Sequence, residues 1–477
     1  MVDPAVTGHA GLAALLTRPL IETIWGRRTH RVSRGSNVSA GATLSYTSPN
    51  PPTPLGALEE AVLIAMTGCT GLTMPDRPFN DPRNGQPIMA KPNVNMAGRT
   101  AGSPDNAQGT HFFLINDSGT YFLRNLPPET GVVFTEAALL DRAERAKVKL
   151  LDHRIDVPEG KRDFPAYLDS NRFLSNQPGT TLLLPIVDLS HQYINGLMYL
   201  LTQPAGARPM LVDDRNFYRP AGVKKWVKNG FLNETIKVPL GTIAQMRTQI
   251  EADLIIQNLF LTADAMGLGA WVHAVMSPPV LLGDPKFVET YGPMLGFDFV
   301  TPKWKLGDLL RWQVPLPFYA NLRAHPVGLR HKGEHLIKGS CPPYYDTMAE
   351  AVDAVIAAKF GPGGIYRDTA TFEQIYKSGF ADAYLRDASD YAQDVIDCAR
   401  DICTYIHDTH GRFPAHVDTI YVPGIWLQVH RVETEYYDLF FRNGLSQVHR
   451  DHDRLWPQDA PQCAGGDRLD PDLTKSL

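Results

Sequence analysis

The chain has 477 residues, a formal net charge of −5, and a composition that is 43% hydrophobic and 20% charged. This length exceeds one minimal domain, and the apolar content is sufficient for a large core. Because there is no basic excess, we expect neither a nucleic-acid partner nor attachment to an acidic membrane surface.

Five scattered cysteines without a CxxC pair indicate a reducing compartment rather than a disulfide framework. The most apolar segment, residues 181–201, is interrupted by Pro185, Asp188, His191 and Asn195, so we predict no transmembrane helix. The N-terminus lacks the pattern of a secretory leader. A cytoplasmic protein is therefore expected.

Residues 1–26 have apolar side chains at roughly helical spacing and predict a helical lead-in. An arginine cluster follows, with Arg27, Arg28, Thr29 and Arg31 close together. Guanidinium groups form bidentate, charge-assisted bonds to phosphate, and a hydroxyl adds another bond. The cluster therefore suggests a phosphate site, although a solvated basic turn is the commoner outcome for such a sequence.

Residues 55–67 predict an amphipathic helix, and a polar loop comes later, before the apolar strand at residues 112–115. The loop contains Ser103, Asn106 and Gln108. Amides and hydroxyls next to a core strand can bind the edges of a planar heterocycle. A turn whose side chains bond their own backbone is an equally good interpretation.

Residues 136–151 predict a charged helix, residues 181–184 an apolar run and residues 190–201 a further helix. Extended pieces interrupted by prolines separate these elements. Residues 136–240 are therefore predicted to form an insertion that caps one face of the core.

Residues 252–266 predict a helix with apolar side chains on nearly every face, which is typical of complete burial. Gly267-Leu268-Gly269 then provides a helix end, since glycine adopts left-handed dihedral angles, and residues 270–272 are strand-like.

Helices are also predicted for residues 347–360, 387–410 and 429–441. His407 and His410 lie three residues apart, and further histidines follow, including His416, His449 and His452. Zinc accepts two such imidazoles with a carboxylate, but the HExxH pattern is absent. Exposed histidines at helix ends are therefore preferred, and no metal is expected.

Three segments in this order resemble the nitroreductase superfamily of FMN-dependent oxidoreductases. Arg-Arg-Thr-His-Arg at 27–31 resembles the RRSxR phosphate-binding start of that family. Residues 103–112 resemble its SSxNxQPWxF loop, and residues 256–271 resemble its NLxLAAxxxGLGxxW helix and strand. Two positions depart from the pattern: Gly109-Thr110 replaces Pro-Trp, and Ala274-Val275 replaces Glu-Gly.

The resemblance implies an α+β, three-layer fold with a central mixed, mainly antiparallel sheet flanked by helices. The core would comprise residues 1–135 and 241–320, with residues 136–240 as the insertion and residues 321–477 as a mostly helical C-terminal extension. It also implies a homodimer with two FMN sites at the subunit interface.

The resemblance further implies the roles of individual residues. Arg27, Arg28, Thr29 and Arg31 would hold the phosphate and ribityl chain, while the polar loop and Val272 would line the flavin ring. The residues that would line the flavin ring are Ser103, Asn106, Gln108 and Val272.

The implied reaction is ping-pong hydride transfer through flavin N5, with NADH or NADPH as a possible donor and a small nitroaromatic, quinone-like or secondary metabolite as substrate. His111 and His273 are the candidate proton donors near the ring, because histidine titrates near neutral pH. A structural histidine beside the ring is the commoner arrangement.

Two further hypotheses are a flavin-binding carrier or partner protein without turnover and a flavin-dependent biosynthetic dehydrogenase.

Overall fold

A computed structural model describes most of the chain. The described residues are 8–38, 41–73, 82–85, 97–103, 106–126, 134–155, 177–243, 245–274, 278–303, 323–388 and 390–458. Within them no helix has the length and apolar character needed to cross a bilayer.

The helices, in chain order, are α1 (Ala10–Thr17), α2 (Leu20–Gly26), α3 (Ala57–Thr67), α4 (Glu136–Ala146), α5 (Leu189–Leu201), α6 (Lys224–Lys228), α7 (Gln245–Met266), α8 (Pro278–Leu282), α9 (Pro285–Tyr291), α10 (Met348–Phe360), α11 (Thr369–Glu373), α12 (Phe380–Asp387), α13 (Gln393–His410), α14 (Thr434–Phe440) and α15 (Gln447–Leu455). The strands are β1 (Asn37–Val38), β2 (Tyr46–Thr47), β3 (Cys69–Leu72), β4 (Ala97–Arg99), β5 (Thr110–Asn116), β6 (Gly119–Leu123), β7 (Lys147–Leu151), β8 (Thr181–Asp188), β9 (Pro209–Asp213), β10 (Arg219–Pro220), β11 (Asn233–Pro239), β12 (Gly269–His273), β13 (Asp298–Val300), β14 (His325–His331), β15 (Glu334–Lys338), β16 (Ile420–Tyr421) and β17 (Trp426–His430).

The largest sheet has the order β12-β17-β8-β5-β6-β7, with β16 paired to β8, and its described pairings are antiparallel. The parallel pairing of β9 with β11 lies in a separate sheet. Helices and antiparallel sheets together confirm the predicted α+β class.

This central sheet takes strands from all four predicted segments. Strand β8, from the predicted insertion, lies between β5 and β17, and β17 comes from the predicted C-terminal extension. The boundaries at residues 136, 241 and 321 therefore do not separate the central sheet from the rest of the chain. Pairings between strands hundreds of residues apart leave no local pattern from which sequence analysis could have placed them.

Pro185 lies within the central strand β8, where a proline is unusual because it cannot donate a ladder hydrogen bond. The edge of β8 that faces away from β5 pairs with β17 up to Leu183 and with β16 from Val187 onward. The proline thus falls in the gap between the two partners.

Each face of the central sheet carries an apolar layer. Helices α3 and α7 cover one face, where Leu114, Leu183 and Leu427 are fully buried. Phe113 and Trp426 belong to the layer on the other face. A further core joins α5, α10, α13 and β9, so the predicted helical region packs against the middle of the chain.

Helix α7 is longer than predicted and is not buried on every face. Ile250 and Leu254 are 38% and 42% exposed, and Leu261 is half-buried. Positions 250, 254 and 261 lie on one side of a helix. We call these three residues the α7 stripe.

Three predicted helices end or begin at other places. The helix predicted for residues 387–410 begins only at Gln393. The helix predicted for residues 136–151 ends at Ala146, because the alternating Lys147–Leu151 forms β7. Residues 429–441 do not form one helix: the fully buried Trp426–His430 is a strand between two neighbours, and α14 begins only at Thr434.

Lys359 of α10 is buried beneath Tyr391 and Asn195. Its ammonium donates to the side-chain oxygen of Asn195 and to the Tyr391 hydroxyl at 3.2 Å. Burial disfavours the charged form and lowers the pKa of Lys359 to about 7. Between that pH and the ordinary lysine pKa near 10.4, the unfolded chain binds more protons than the folded chain.

The contribution of Lys359 to the free energy of unfolding should therefore rise with pH from about 7 to about 10 and be flat below pH 7. Lys359→Met should remove this contribution, so that the variant gains stability over the wild type at pH 7, on the order of 4 kcal/mol at most. Urea unfolding at several pH values measures the difference. Lys338→Met, at an exposed lysine, is the control, and equal pH profiles for both variants would refute the assignment.

Candidate functional site

The polar loop of residues 103–110 is organised by a buried carboxylate, Glu251 of α7. Its Oε2 accepts from the backbone N–H of Gln108 at 2.8 Å and from the Ser103 hydroxyl. Its Oε1 accepts from the backbone N–H of Thr110 at 3.0 Å and from the Thr110 hydroxyl at 2.5 Å. One side chain thus fixes both ends of the loop.

Arg99 of β4 neutralises this carboxylate. Its guanidinium lies 3.2 Å from Glu251 Oε1, and both side chains are inaccessible to solvent. The same group donates to the Thr110 carbonyl at 2.6 Å and to Asn125 Oδ1 at 2.7 Å. A buried charge is tolerated when it is paired and hydrogen-bonded in this way.

The loop backbone is constrained as well. Asn106 and Gln108 have φ values of +50° and +52°, which few non-glycine residues adopt, and the Gln108 amide donates to the Asn106 side-chain oxygen. A Cβ at Gly109 would lie 2.9 Å from the Asp188 carbonyl oxygen. That close approach explains why glycine stands at this position.

Residues 27–31, which we call the arginine segment, extend from the end of α2 toward β12. The Arg27 guanidinium lies 4.6 Å from the centre of the Phe260 ring of α7, and Arg31 lies 4.8 Å from the Trp271 ring of β12. Arg28 is exposed and bonds to backbone carbonyls of its own turn, including that of Gly26 at 3.3 Å, and Thr29 is exposed. Within the described chain no carboxylate forms an ion pair with these three arginines. Their positive charge is therefore available to an anion.

His273 lies in the core close to this segment. Its ring is 4.0 Å from Trp271 and 4.7 Å from Trp426, centre to centre, and Nε2 is 2.9 Å from the Gln428 side-chain oxygen. Burial lowers the pKa of His273 to about 4. Its neighbour Val272 is partly exposed on the opposite face of β12, while residues 275–277 lie outside the described part.

His111 lies elsewhere, on β5 beside the Phe122 ring. Burial and the charge of Arg99 lower its pKa to about 4. Both candidate histidines are therefore neutral at physiological pH. The expectation that they donate a proton with a pKa near neutrality does not match these surroundings, which are those of packed structural histidines.

The structure brings the predicted residues together in two groups. Arg31 and His273 both contact Trp271, whereas the loop residues gather around Glu251. Glu251 and Phe260, the α7 contact of Arg27, are nine positions apart, which is about 14 Å along the axis and half a turn around it. Helix α7 therefore separates the loop from the arginines within one chain.

A cleft of about 760 Å³ lies away from both groups, between α3, α4 and the β5–β6 hairpin. Glu60, which lines it, is paired with Lys147 at 2.5 Å and with Asn116 at 2.6 Å. Asn116 is at the opposite end of β5 from Thr110, about 20 Å away. None of the predicted site residues lines this cleft.

Sequence analysis missed Glu251 and Arg99. The available signal was an acidic residue directly before the apolar core of a helix, since a carboxylate on a buried helix face needs a partner. Its partner lies more than 150 positions away and could not be located from spacing.

The C-terminal histidines are less exposed than expected. His410, His416, His449 and His452 are buried, and only His407 remains partly accessible. His410 Nε2 is 2.9 Å from Asp213 Oδ2, and His416 Nε2 is 2.8 Å from Asp214 Oδ1. These acidic partners, near residue 213, explain the burial of His410 and His416.

Comparisons with known proteins add little. No family model and no curated protein matches the chain. One similar solved structure is a "putative nitroreductase" from Ralstonia eutropha JMP134, with a TM-score of 0.25 and 12% identity, covering 57% of this chain and 75% of that one. A likeness at this level supports no functional conclusion.

Replacing Glu251 tests the organisation of the loop. Glu251→Gln should lower the free energy of unfolding by about 3 kcal/mol or more, because the buried Arg99 charge loses its counter-charge. Glu334→Gln is the matched control, since Glu334 pairs with Arg124 at the surface and should cost less than about 1 kcal/mol. Urea denaturation measures both, and equal losses would contradict the central role of Glu251.

Proposed function

We propose that the protein is an FMN-dependent oxidoreductase whose flavin site is shared between two copies of the chain. One observation carries the proposal: the unneutralised arginines and the amide loop flank opposite sides of the apolar, exposed α7 stripe. The stripe is the natural contact for a second copy, and the two flanks are the two halves of the site.

The stripe has the character of an interface. Ile250, Leu254 and Leu261 present apolar side chains to solvent along one side of the longest described helix. Helix α2, which contacts α7, exposes more large apolar side chains; these are Leu20, Ile21, Ile24 and Trp25. Apolar surface concentrated in this way marks protein–protein contact sites.

A second copy also solves a geometric problem. Within one chain α7 stands between the arginines and the loop, so one flavin cannot contact both directly. In a two-fold dimer, the same surface of each copy contacts the other. A partner packed on the α7 stripe can bring its loop to the arginine flank of the first copy, and two equivalent sites result.

The chain's own residues would bind and orient the cofactor. Arg27, Arg28 and Arg31, with Thr29, would hold the phosphate through charge-assisted hydrogen bonds. Ser103, Asn106 and Gln108, fixed by Glu251, would meet the ring edges, and Val272 would provide apolar contact. A bound flavin supplies hydride transfer, which the protein alone cannot perform.

His111 and His273 enter this proposal as neutral packing and hydrogen-bonding groups rather than as acids. The substrate class, a small organic acceptor with NADH or NADPH as donor, rests on the motif resemblance alone. Reduction of bound flavin by either nicotinamide would support the enzyme, whereas flavin that binds but stays oxidised with both would support the carrier hypothesis.

Removing the arginine charges tests the phosphate assignment. The purified wild type, after addition of FMN, should show the visible absorption of oxidised flavin. Arg27→Ala with Arg31→Ala should lose most of the flavin affinity while remaining folded. Removing two exposed arginines elsewhere, by Arg219→Ala with Arg386→Ala, should leave affinity unchanged. Full flavin occupancy in the first double variant would overturn the assignment.

Introducing a charge on the α7 stripe tests the shared site. Leu254→Glu should shift the protein from dimer to monomer in analytical ultracentrifugation and should reduce flavin binding at the same time, because each site requires both copies. Leu439→Glu alters a leucine that is more exposed than Leu254 and should change neither. A monomeric Leu254→Glu variant that binds FMN like the wild type would show that the site is complete within one chain.

A further inference from the structure

Three buried side chains from distant parts of the chain meet beneath the arginine segment. His30 lies between Arg27 and Arg31, Asp264 is in the last turns of α7, and His449 is on α15. They are 2%, 3% and 4% exposed, respectively. One ligand atom from each lies within 4.8 Å of the others.

Each of the three side chains has one buried polar atom that is not used by an ordinary hydrogen bond. His449 Nε2 lies 3.7 Å from Asp264 Oδ1. Among described residues, neither atom has a hydrogen-bond partner of normal geometry, and neither does His30 Nδ1. The Leu268 backbone also interacts with the His449 ring. Buried polar atoms are rarely left in this state, so the arrangement calls for a missing partner.

The other atom of each side chain is held in place. His30 Nε2 is 2.8 Å from the Gly444 carbonyl, and His449 Nδ1 is 2.8 Å from the Ser446 hydroxyl. Asp264 accepts from the backbone N–H of Arg28. A metal-binding histidine characteristically uses one ring nitrogen for the ion and bonds the other to a carbonyl or similar group, which fixes the tautomer.

We propose that His30, Asp264 and His449 bind one divalent transition-metal ion of the zinc class. Two imidazoles and one carboxylate are ligands that zinc accepts. Zinc lies about 2.0–2.2 Å from each such ligand, so tetrahedral neighbours are about 3.4 Å apart and the three side chains would close slightly around the ion. The fourth position would be filled by water or by the Leu268 carbonyl.

A second group of possible ligands provides a contrast. Asp213, Asp214 and His416 also have ligand atoms within 4.8 Å of one another. There the carboxylates are occupied: Asp213 accepts from the Tyr405 hydroxyl at 3.1 Å, and Asp214 accepts from the Gly241 N–H at 3.2 Å. His416 itself is bonded to Asp214. The ligand atoms of this group that face each other already have hydrogen-bond partners without an ion, so the group serves as the control.

The ion would join three distant parts of the chain directly. Residues 30, 264 and 449 belong to the arginine segment, the central helix and the last described helix. Because metal binding to the folded state alone adds to stability, the proposal predicts a rise in melting temperature with zinc. The inference is independent of flavin, since metal content and melting temperature are measured without it.

The experiment uses the full chain, freed of metal by a chelator and then titrated with Zn²⁺ alone. Calorimetry and elemental analysis should find one zinc per chain in the wild type, with a raised melting temperature. Asp264→Asn, which preserves shape, and His449→Gln should weaken binding by about 100-fold or more, beyond the 10- to 100-fold typical of outer-shell changes. His416→Gln should bind zinc like the wild type.

X-ray absorption of the zinc-loaded wild type is a readout that needs no variant. Two imidazole ligands would support the proposed site, and a single imidazole would place the ion at the control group and overturn it. The proposal also fails if the wild type takes up no zinc, if Asp264→Asn and His449→Gln bind it normally, or if His416→Gln abolishes binding.

Discussion

The buried pair of Glu251 and Arg99 is the constraint on which the candidate loop depends. A carboxylate without solvent access is tolerated only with a counter-charge and several donors. Glu251 obtains these from Arg99, Thr110 and the Gln108 backbone. The loop conformation is therefore a consequence of satisfying one charge on α7, and this anchors the beginning of β5 to the helix that packs across the sheet.

Helix α7 illustrates what sequence can and cannot reveal. Its existence and its end at Gly267 follow from local chemistry: this glycine has a φ of +86°, and a Cβ there would lie 2.4 Å from the Val448 carbonyl oxygen. Its exposed side does not follow, because Leu254 and Leu259 are chemically identical although only Leu259 is buried. In sequence, an exposed apolar residue of a helix cannot be told from an apolar residue that the fold buries.

The remaining differences have a common physical origin. Helices such as α3, α5 and α10 follow from periodicity, but the position of β17 between β12 and β8 depends on pairing with residues 150 or more positions away. The burial of the C-terminal histidines also depends on residues far away in the chain. His410 and His449 look like solvated helix ends until Asp213 and Asp264 are brought beside them. Long-range partners, rather than local preference, decide both.

The two proposals meet in the segment of residues 27–31, where side chains divide between two environments. His30 points inward toward Asp264 and His449, while Arg28 and Arg31 remain exposed and Arg27 is half-buried on Phe260. A short segment without regular structure orders poorly unless it is tied down. A metal ion held by His30 would supply such a tie directly beneath the arginines. It would thereby fix the backbone that carries the arginines without touching the anion that they are proposed to bind.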